Sequence, residues 1–429
     1  MTQSRTIRPA PCLRGEISVP GDKSISHRSI MFGSLARGTT RVRGFLRGED
    51  NLSTLKAFRA MGIDITETEE EILIEGRGLH GLAEPDDVLD CGNSGTTMRL
   101  MTGILSGQDF FTVLTGDRYL RRRPMRRVVE PLAGMGAQIW GRNGGELAPL
   151  AIQGGGLQSF EYDSPVASAQ VKSALMLAGL YAEGETTVRE PHLSRDHSER
   201  MLSHFGAEVR SFDGGVAVKG APDLQGREIF VPGDISSAAF FMVAALVSDD
   251  ADLLLKNVGV NPTRSGVIDI LQAMGGNLEL LDLREVSGEP VADVRVQSSS
   301  LKGIEIGGDV VPRAIDEFPA ISVAAALAEG TTVIRDAREL RVKETDRIAA
   351  MTSELSRLGA DIKATEDGMI VEGRERLAGG AVESHGDHRI AMSCAIAALS
   401  SRGEVSIADT DCTATSFPGF WELLETIRA

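Results

Sequence analysis

Long apolar helical runs alternate with short polar turns and β-rich segments along this chain. Two of these runs are Ser29–Leu35 and Ala238–Leu246. An apolar helix, a polar turn and a β-rich run follow one another six times, which indicates an internal repeat. The polar turns lie at residues 36–40, 105–107, 182–186, 248–250, 328–332 and 401–404.

A second helix in each repeat is predicted to end at a glycine before a strand. The glycines are Gly62, Gly136, Gly206, Gly275 and Gly359. Glycine suits the left-handed residue after a helix, and β-branched residues favour the strand that follows. The sixth second helix, residues 420–428, has no strand after it. We therefore expect the N-terminal β segments, residues 6–8 and 15–19, to complete the C-terminal domain.

One four-residue segment, Val19–Asp22, recurs half a chain later as Val231–Asp234. Six repeats then divide into two lobes of three, and the chain crosses between the lobes at these two segments. The predicted fold is α/β with two lobes, residues 20–231 and residues 1–19 plus 232–429. An open α/β solenoid is the alternative, and the paired segments favour two globular lobes.

Composition excludes several classes of function. The chain has 429 residues and a formal net charge of −16, which argues against a nucleic-acid-binding protein. No apolar run approaches the ~18 residues of a membrane span, and the polar N-terminus lacks a signal-peptide core. Four cysteines without a CxxC pair indicate reduced thiols and a cytoplasmic protein, and no motif indicates a metal site.

Polar and cationic residues gather where the first helix of a repeat begins. They include Lys23, Ser24 and Arg28, the segment Cys91–Arg99, and Ser168 with Gln170. A helix N-terminus with added cations favours anions. The fourth repeat offers Asp234 and two serines without a cation, so we expect it to be structural.

Further charges lie in the later repeats and in two loops. Asp316 and Arg389 lie near helix starts, and the loops Thr115–Pro124 and Leu340–Arg347 are rich in cations. Arg and Lys beside hydroxyl and amide groups suit phosphates and carboxylates. Asp316 and Glu344 lie among cations and are the candidate acid and base. The residues alone predict an enzyme that acts on small phosphorylated anions between two lobes.

Seven motifs occur in an order that resembles the 5-enolpyruvylshikimate-3-phosphate synthase family. They read PGDKSISHR, GNSGTTMR, RRRPM, SAQVKSA, DEFP, RVKETDR and GDHR. The SAQVKSA and DEFP forms are similar to the bacterial class II subgroup. The resemblance implies two lobes of three βαβαββ units with buried parallel helices. It also implies transfer of the enolpyruvyl group of phosphoenolpyruvate to shikimate 3-phosphate, without a metal or organic cofactor.

The resemblance also assigns roles to residues of this chain. It implies that shikimate 3-phosphate is bound by Lys23, Ser24, Arg28, Ser168, Ala169, Gln170, Arg195, Asp316 and Lys343. It implies that phosphoenolpyruvate is bound by Lys23, Gly95, Arg123, Gln170, Arg347 and Arg389. Asp316 then accepts the proton of the 5-hydroxyl, Glu344 donates a proton to the methylene carbon, and Lys23 assists.

At three positions the residue of this chain differs from the one that other members of the family can carry. Thr415 stands where many members carry a lysine that contacts phosphoenolpyruvate, and Leu100 replaces a proline. Class II members can carry alanine at the position of Gly95, which crowds the inhibitor glyphosate. Gly95 therefore predicts a glyphosate-sensitive enzyme.

Two other functions are weighed against this one. UDP-N-acetylglucosamine enolpyruvyl transferase shares the chemistry but has a reactive cysteine in the loop that corresponds to Thr115–Pro124, which here has none. A non-catalytic, anion-binding repeat scaffold would not explain Asp316 and Glu344 among cations. We expect a monomer whose partners are small molecules, with neither nucleic acid nor a membrane.

Overall fold

The computed structural model describes residues 3–10 and 12–428. They form two compact units. The first unit comprises Gly21–Val231 and Val286–Glu289. The second comprises the N-terminal segment up to Pro20, Pro232–Glu285 and the chain from Pro290 onward. The sequence-based boundaries instead assign Pro20 to the first lobe and residues 286–289 to the second.

The first unit consists of three repeats, each with one four-stranded sheet. In spatial order the strands are Glu228–Phe230, Arg37–Arg43, Glu71–Arg77 and Asp64–Glu67; Leu89–Asp90, Phe111–Thr115, Leu147–Gln153 and Gln138–Gly141; and Glu161–Asp163, Glu185–Arg189, Gly215–Lys219 and Val209–Phe212. In each sheet the first two strands are parallel and the other neighbours antiparallel. The helices are Lys23–Leu35, Glu49–Ala60, Gly95–Ser106, Arg126–Gly134, Ala169–Gly179 and His197–Phe205, with short turns at Leu120–Arg122 and Arg142–Gly145.

The second unit repeats this pattern with one sheet of three strands. The strands in spatial order are Asn277–Val286, Glu289–Gln297, Asp250–Gly259 and Cys12–Ile17; Glu305–Ile306, Thr331–Ile334, Met369–Glu372 and Asp361–Ala364; and Ser4–Ile7, Val405–Ala408 and Gly380–Glu383. The helices are Ile235–Val247, Gly266–Ala273, Val310–Ala314, Phe318–Ala326, Arg347–Arg357, His388–Leu399 and Phe420–Thr426, with 3₁₀ turns at Arg338–Val342 and Thr410–Thr415.

Three repeats borrow a strand from a distant part of the chain. Ser4–Ile7 pairs antiparallel with Val405–Ala408 and fills the place of the strand that the sixth repeat lacks. Cys12–Ile17 pairs parallel with Asp250–Gly259 in the fourth repeat. The first repeat borrows in the same way, since Glu228–Phe230 pairs parallel with Arg37–Arg43.

The first helix of each repeat lies in the core. Ile235–Leu246 is buried throughout, and in the second unit this helix contacts the helices Phe318–Ala326 and His388–Leu399. A helix that is apolar on every side is stable only when other elements surround it. In the first unit, Gly103 allows Gly95–Ser106 to approach Ala169–Gly179, because a Cβ there would lie 2.2 Å from the carbonyl oxygen of Ala174. Within the described residues, no helix has the length and apolarity needed to cross a membrane.

Candidate active site

The first helices of the first unit begin at capped N-termini. Asp22 accepts a hydrogen bond from the backbone N–H of Ile25 at 2.9 Å, and Ser94 accepts one from Thr97 at 3.1 Å. Ser168 caps the third helix in the same way. The N-terminus of a helix carries partial positive charge, which attracts negative charge. Several of the residues predicted to bind substrate therefore lie where an anion is favoured.

Lys23 is the first residue of its helix and forms an ion pair with Asp50. The Lys23 side chain is 19% exposed and that of Asp50 is 8% exposed. Asn51 donates a hydrogen bond to the carbonyl oxygen of Lys23 at 2.9 Å. No pattern in the sequence singles out Asp50, because this contact joins two helices of the repeat.

Arg28 is buried in a set of hydroxyl groups. Its guanidinium donates to Ser198 Oγ and Ser173 Oγ, each at 2.8 Å, and to the carbonyl oxygen of Ser24 at 3.0 Å. Burial lowers the pKa of Arg28 to about 10, although the charge of Glu199 partly opposes this. Arg195, which is half-buried, contributes to the same lowering through its positive charge.

Gly95, Arg123 and Gln170 meet around Arg99. The Arg99 guanidinium donates to Gln170 Oε1 at 2.6 Å and to the carbonyl oxygen of Pro124 at 3.0 Å. A Cβ on Gly95 would lie 2.7 Å from Arg99 Nη1 and 3.3 Å from Arg123 Nη1. The structure thus brings two arginines to one helix N-terminus. Arg99 lies in the GNSGTTMR motif but was not among the predicted site residues.

Ser168 and Ala169 lie above a buried ionic network. Glu190 accepts a hydrogen bond from the backbone N–H of Ser168 at 2.8 Å and contacts Lys172 Nζ at 3.0 Å. Lys172 Nζ also contacts Glu199 at 2.8 Å. Burial alone lowers the pKa of Lys172, but Glu199 and Glu190 outweigh it and raise the pKa above its usual value. Lys172 therefore remains a cation and holds Glu190, the carboxylate that accepts the hydrogen bond from Ser168.

In the second unit Arg347 is the centre of a carboxylate cluster. Its guanidinium contacts Asp387 at 2.8 Å, Glu344 at 2.6 Å and Asp316 at 3.3 Å. Burial lowers the pKa of Arg347, but the three carboxylates outweigh it and raise the pKa. Lys343 Nζ lies 3.3 Å from Asp316 Oδ1. Four predicted site residues, Asp316, Lys343, Glu344 and Arg347, thus form one cluster.

Arg389 joins this cluster through Asp387. Asp387 caps the helix His388–Leu399 by accepting the backbone N–H of Arg389 at 2.9 Å, and its other oxygen binds Arg347. Arg389 is 8% exposed. Asp387 belongs to the GDHR motif. A helix cap could have been predicted there, because this Asp directly precedes a predicted helical turn.

The fourth repeat contains a buried cation that the sequence analysis did not find. Arg264 is 3% exposed and donates to Ser236 Oγ at 2.7 Å and to Asp234 Oδ1 at 3.3 Å. The expectation of a repeat without a cation was wrong because Arg264 comes from the start of the second helix rather than the first. Thr415, by contrast, lies half-buried at the end of the 3₁₀ turn Thr410–Thr415.

Comparisons with known proteins identify the family to which this chain is similar. The family model for EPSP synthase (3-phosphoshikimate 1-carboxyvinyltransferase) matches residues 7–424. A 3-phosphoshikimate 1-carboxyvinyltransferase of Geobacter metallireducens is 68% identical over 427 residues and covers 100% of both chains. Its counterpart in Geobacter sulfurreducens is 68% identical over 424 residues, with 99% of each chain covered.

A solved structure gives the same result for the fold. The EPSP synthase of Acinetobacter baumannii is 51% identical with a TM-score of 0.89, over 100% of this chain and 98% of that one. The predicted two-lobe α/β fold class is confirmed by this similarity. This chain belongs to the EPSP synthase family.

Proposed function

We propose that this protein transfers the enolpyruvyl group of phosphoenolpyruvate to the 5-hydroxyl of shikimate 3-phosphate and releases phosphate. The observation that carries the proposal is the cluster in which Asp316 and Glu344 share the Arg347 guanidinium beside Lys343. Carboxylates held among cations suit proton transfer close to anionic substrates. The name of the relatives describes transfer of a carboxyvinyl group to 3-phosphoshikimate.

Side chains of several repeats contribute to binding in this proposal. Cations and hydroxyls suit the two phosphates and two carboxylates of the substrates. Shikimate 3-phosphate is bound by Lys23, Ser24, Arg28, Ser168, Ala169, Gln170, Arg195, Asp316 and Lys343. Phosphoenolpyruvate is bound by Lys23, Gly95, Arg123, Gln170, Arg347 and Arg389. Thr415 has no charge to offer, so the arginines supply the positive charge.

The reaction proceeds by addition and then elimination. Asp316 accepts the proton of the 5-hydroxyl as its oxygen bonds to C2 of phosphoenolpyruvate, and Glu344 donates a proton to C3. The product of this step is a tetrahedral intermediate. Glu344, now a carboxylate, then takes a proton back from C3 as phosphate leaves C2, which restores the double bond, and the proton held by Asp316 leaves with the phosphate. Lys23 stabilises the negative charge that the phosphate carries away.

In this proposal the enzyme acts in the cytoplasm as a monomer on small-molecule substrates. UDP-N-acetylglucosamine is the less favoured acceptor, because the loop Thr115–Pro124 contains no cysteine and the relatives act on 3-phosphoshikimate by name.

Phosphate release from phosphoenolpyruvate tests the proposal. We expect release with shikimate 3-phosphate and none without an acceptor or with UDP-N-acetylglucosamine. Release with the nucleotide sugar alone would establish the other transferase. Binding of both substrates without any release would support the scaffold.

The role of Asp316 is tested by Asp316→Ala. We expect turnover to fall about 10²–10⁴-fold, because positioned acid–base catalysis contributes that much. Calorimetric titration should give a dissociation constant for shikimate 3-phosphate within about tenfold of the original value, since one hydrogen bond is lost. Unchanged turnover in this variant would contradict the assignment of Asp316 as the base.

A further inference from the structure

Asp316 is followed by a second acid whose side chain points to a different set of partners. Asp316 contacts Lys343 and Arg347, each at 3.3 Å. Glu317 is fully buried, and its Oε1 lies 3.6 Å from Arg264 Nη2 and accepts a hydrogen bond from Ser236 Oγ. Asp316 is thus paired with Lys343 and Arg347, whereas the carboxylate of the next residue contacts Arg264 and Ser236.

The partners of Glu317 are themselves fixed to the fourth repeat. Arg264 Nη2 donates to Ser236 Oγ at 2.7 Å, and Asp234 caps the helix Ile235–Val247 by accepting the backbone N–H of Ser236 at 2.8 Å. The side chains of Arg264, Asp234 and Glu317 are 3%, 7% and 0% exposed. Their side chains are enclosed by the core and have little freedom to move.

Glu317 does not serve its own helix. It precedes the helix Phe318–Ala326 at the cap position but forms no side-chain cap. Its carboxylate is directed to Arg264 and Ser236 instead. The backbone of residue 316 is therefore tied through its neighbour to a rigid helix N-terminus of another repeat.

We propose that Arg264 and Glu317 are positioning residues that hold Asp316 at the place where it accepts the proton. This inference rests on the proposed function, which makes Asp316 the base. A displacement of about 1 Å at a reacting group can cost roughly 10²-fold in rate. Glu317 touches neither substrate in this proposal and acts through the backbone it shares with Asp316.

Glu317→Gln tests the inference, because it keeps the shape of the side chain and removes its charge. We expect kcat to fall at least about tenfold while KM for both substrates stays within about threefold, since only the base is misplaced. In the Asp316→Asn background the same change should produce no further loss of kcat. If the double variant instead shows the product of the kcat losses of Glu317→Gln and Asp316→Asn, the inference is overturned.

A stability measurement separates positioning from a merely structural role. We expect Glu317→Gln to lower the melting temperature equally in the two backgrounds. The matched control is Asp293→Asn, a second-unit carboxyl that is 8% exposed and bound to Lys256. It should lower the melting temperature without lowering kcat at 25 °C. Equal loss of kcat in the control would overturn the inference.

A crystal structure of Glu317→Gln gives a readout that does not depend on activity. We expect Asp316 Oδ1 to move away from Lys343 Nζ and Arg347 Nη1. An unmoved Asp316 would overturn the inference even if the enzyme has the proposed activity. Absence of phosphate release from the unaltered enzyme would instead contradict the proposed function. Arg264→Lys, which keeps the charge, should retain more turnover than Arg264→Met and serves if Glu317→Gln does not fold.

Discussion

Arg28 is a cation that the fold buries against its preference for water. Burial lowers its pKa to about 10, so the charged form is less favoured there than in solution. At neutral pH the residue is nevertheless protonated. An anion beside it should relieve this unfavourable state, which makes Arg28 a strong determinant of anion affinity.

Arg28→Gln should therefore weaken the binding of shikimate 3-phosphate at least about tenfold, because a buried charge-assisted hydrogen bond contributes roughly 1.5–3 kcal/mol. Titration calorimetry measures this change. Arg210→Gln is the control, since its side chain is 62% exposed and pairs with Glu185. Equal affinity of the two variants for shikimate 3-phosphate would show that Arg28 does not bind it.

Substitution of Gly95 is limited by the neighbouring side chains rather than by its backbone conformation. The added Cβ of Gly95→Ala would lie 2.7 Å from the Arg99 guanidinium, which Gln170 and the carbonyl oxygen of Pro124 hold in place. We expect KM for phosphoenolpyruvate to rise about tenfold as these contacts shift. Steady-state kinetics should show no such rise for Gly403→Ala, where the nearest atom is 3.5 Å away.

Glyphosate provides a second measurement at Gly95. The unaltered enzyme should be inhibited in competition with phosphoenolpyruvate, and Gly95→Ala should be much less sensitive because its methyl group crowds the inhibitor. Turnover unaffected by millimolar glyphosate at low phosphoenolpyruvate would contradict the prediction.

The helix Ala169–Gly179 depends on a network beneath its N-terminus. Lys172 neutralises Glu190 and Glu199, and all three side chains are less than 8% exposed. Lys172→Met should lower the free energy of unfolding by about 3–5 kcal/mol, because two buried carboxylates lose their cation. It should also weaken shikimate 3-phosphate binding, since Glu190 holds Ser168.

Urea unfolding and calorimetry measure these two effects. Lys219→Met is the matched control, because the Lys219–Glu208 pair is 61% and 74% exposed and surface pairs contribute about 0–1 kcal/mol. Similar losses in the two variants would show that burial of the Lys172 network has no special effect.

Elements defined by local sequence were predictable, and contacts between elements were not. The caps Asp22, Ser94 and Ser168 follow from residue type and position. The pair Lys23–Asp50 and the buried Arg264 depend on which helices meet in space. No periodicity in the chain reports such contacts.

The repeat made much of the whole architecture predictable. The missing strand of the sixth repeat pointed to the N-terminal segment, and Ser4–Ile7 occupies that place. The parallel strand Glu228–Phe230 of the first repeat was not foreseen, because no gap in the sequence pattern announces it. The roles of the site residues remain predictions, since chemistry with substrates leaves no trace in the pattern of apolar positions.

Buried thiols should make the whole molecule sensitive to alkali. Burial raises the pKa of Cys412 to about 12 and raises those of Cys91 and Cys394 further from the ordinary value of 9.0. The unfolded chain then loses these protons from about pH 9 while the folded chain keeps them. Stability should fall above pH 9 by up to about 1.4 kcal/mol per pH unit for each thiol.

Urea midpoints between pH 7.5 and 10 measure this decline. The lowered pKa of Arg28 acts in the opposite direction but only above about pH 10. Replacing Cys91, Cys394 and Cys412 by alanine should flatten the decline. An equally steep decline in that variant would assign the effect to other groups.

The pairing of Ser4–Ile7 with Val405–Ala408 has a consequence for folding during synthesis. A ribosome makes about 5–20 residues per second, so the two partner strands emerge on the order of a minute apart. Residues 21–231 can complete their sheets long before the last repeat exists. The strand Ser4–Ile7 thus leaves the ribosome long before its partner strand, and during that interval chaperones have access to its unpaired edge.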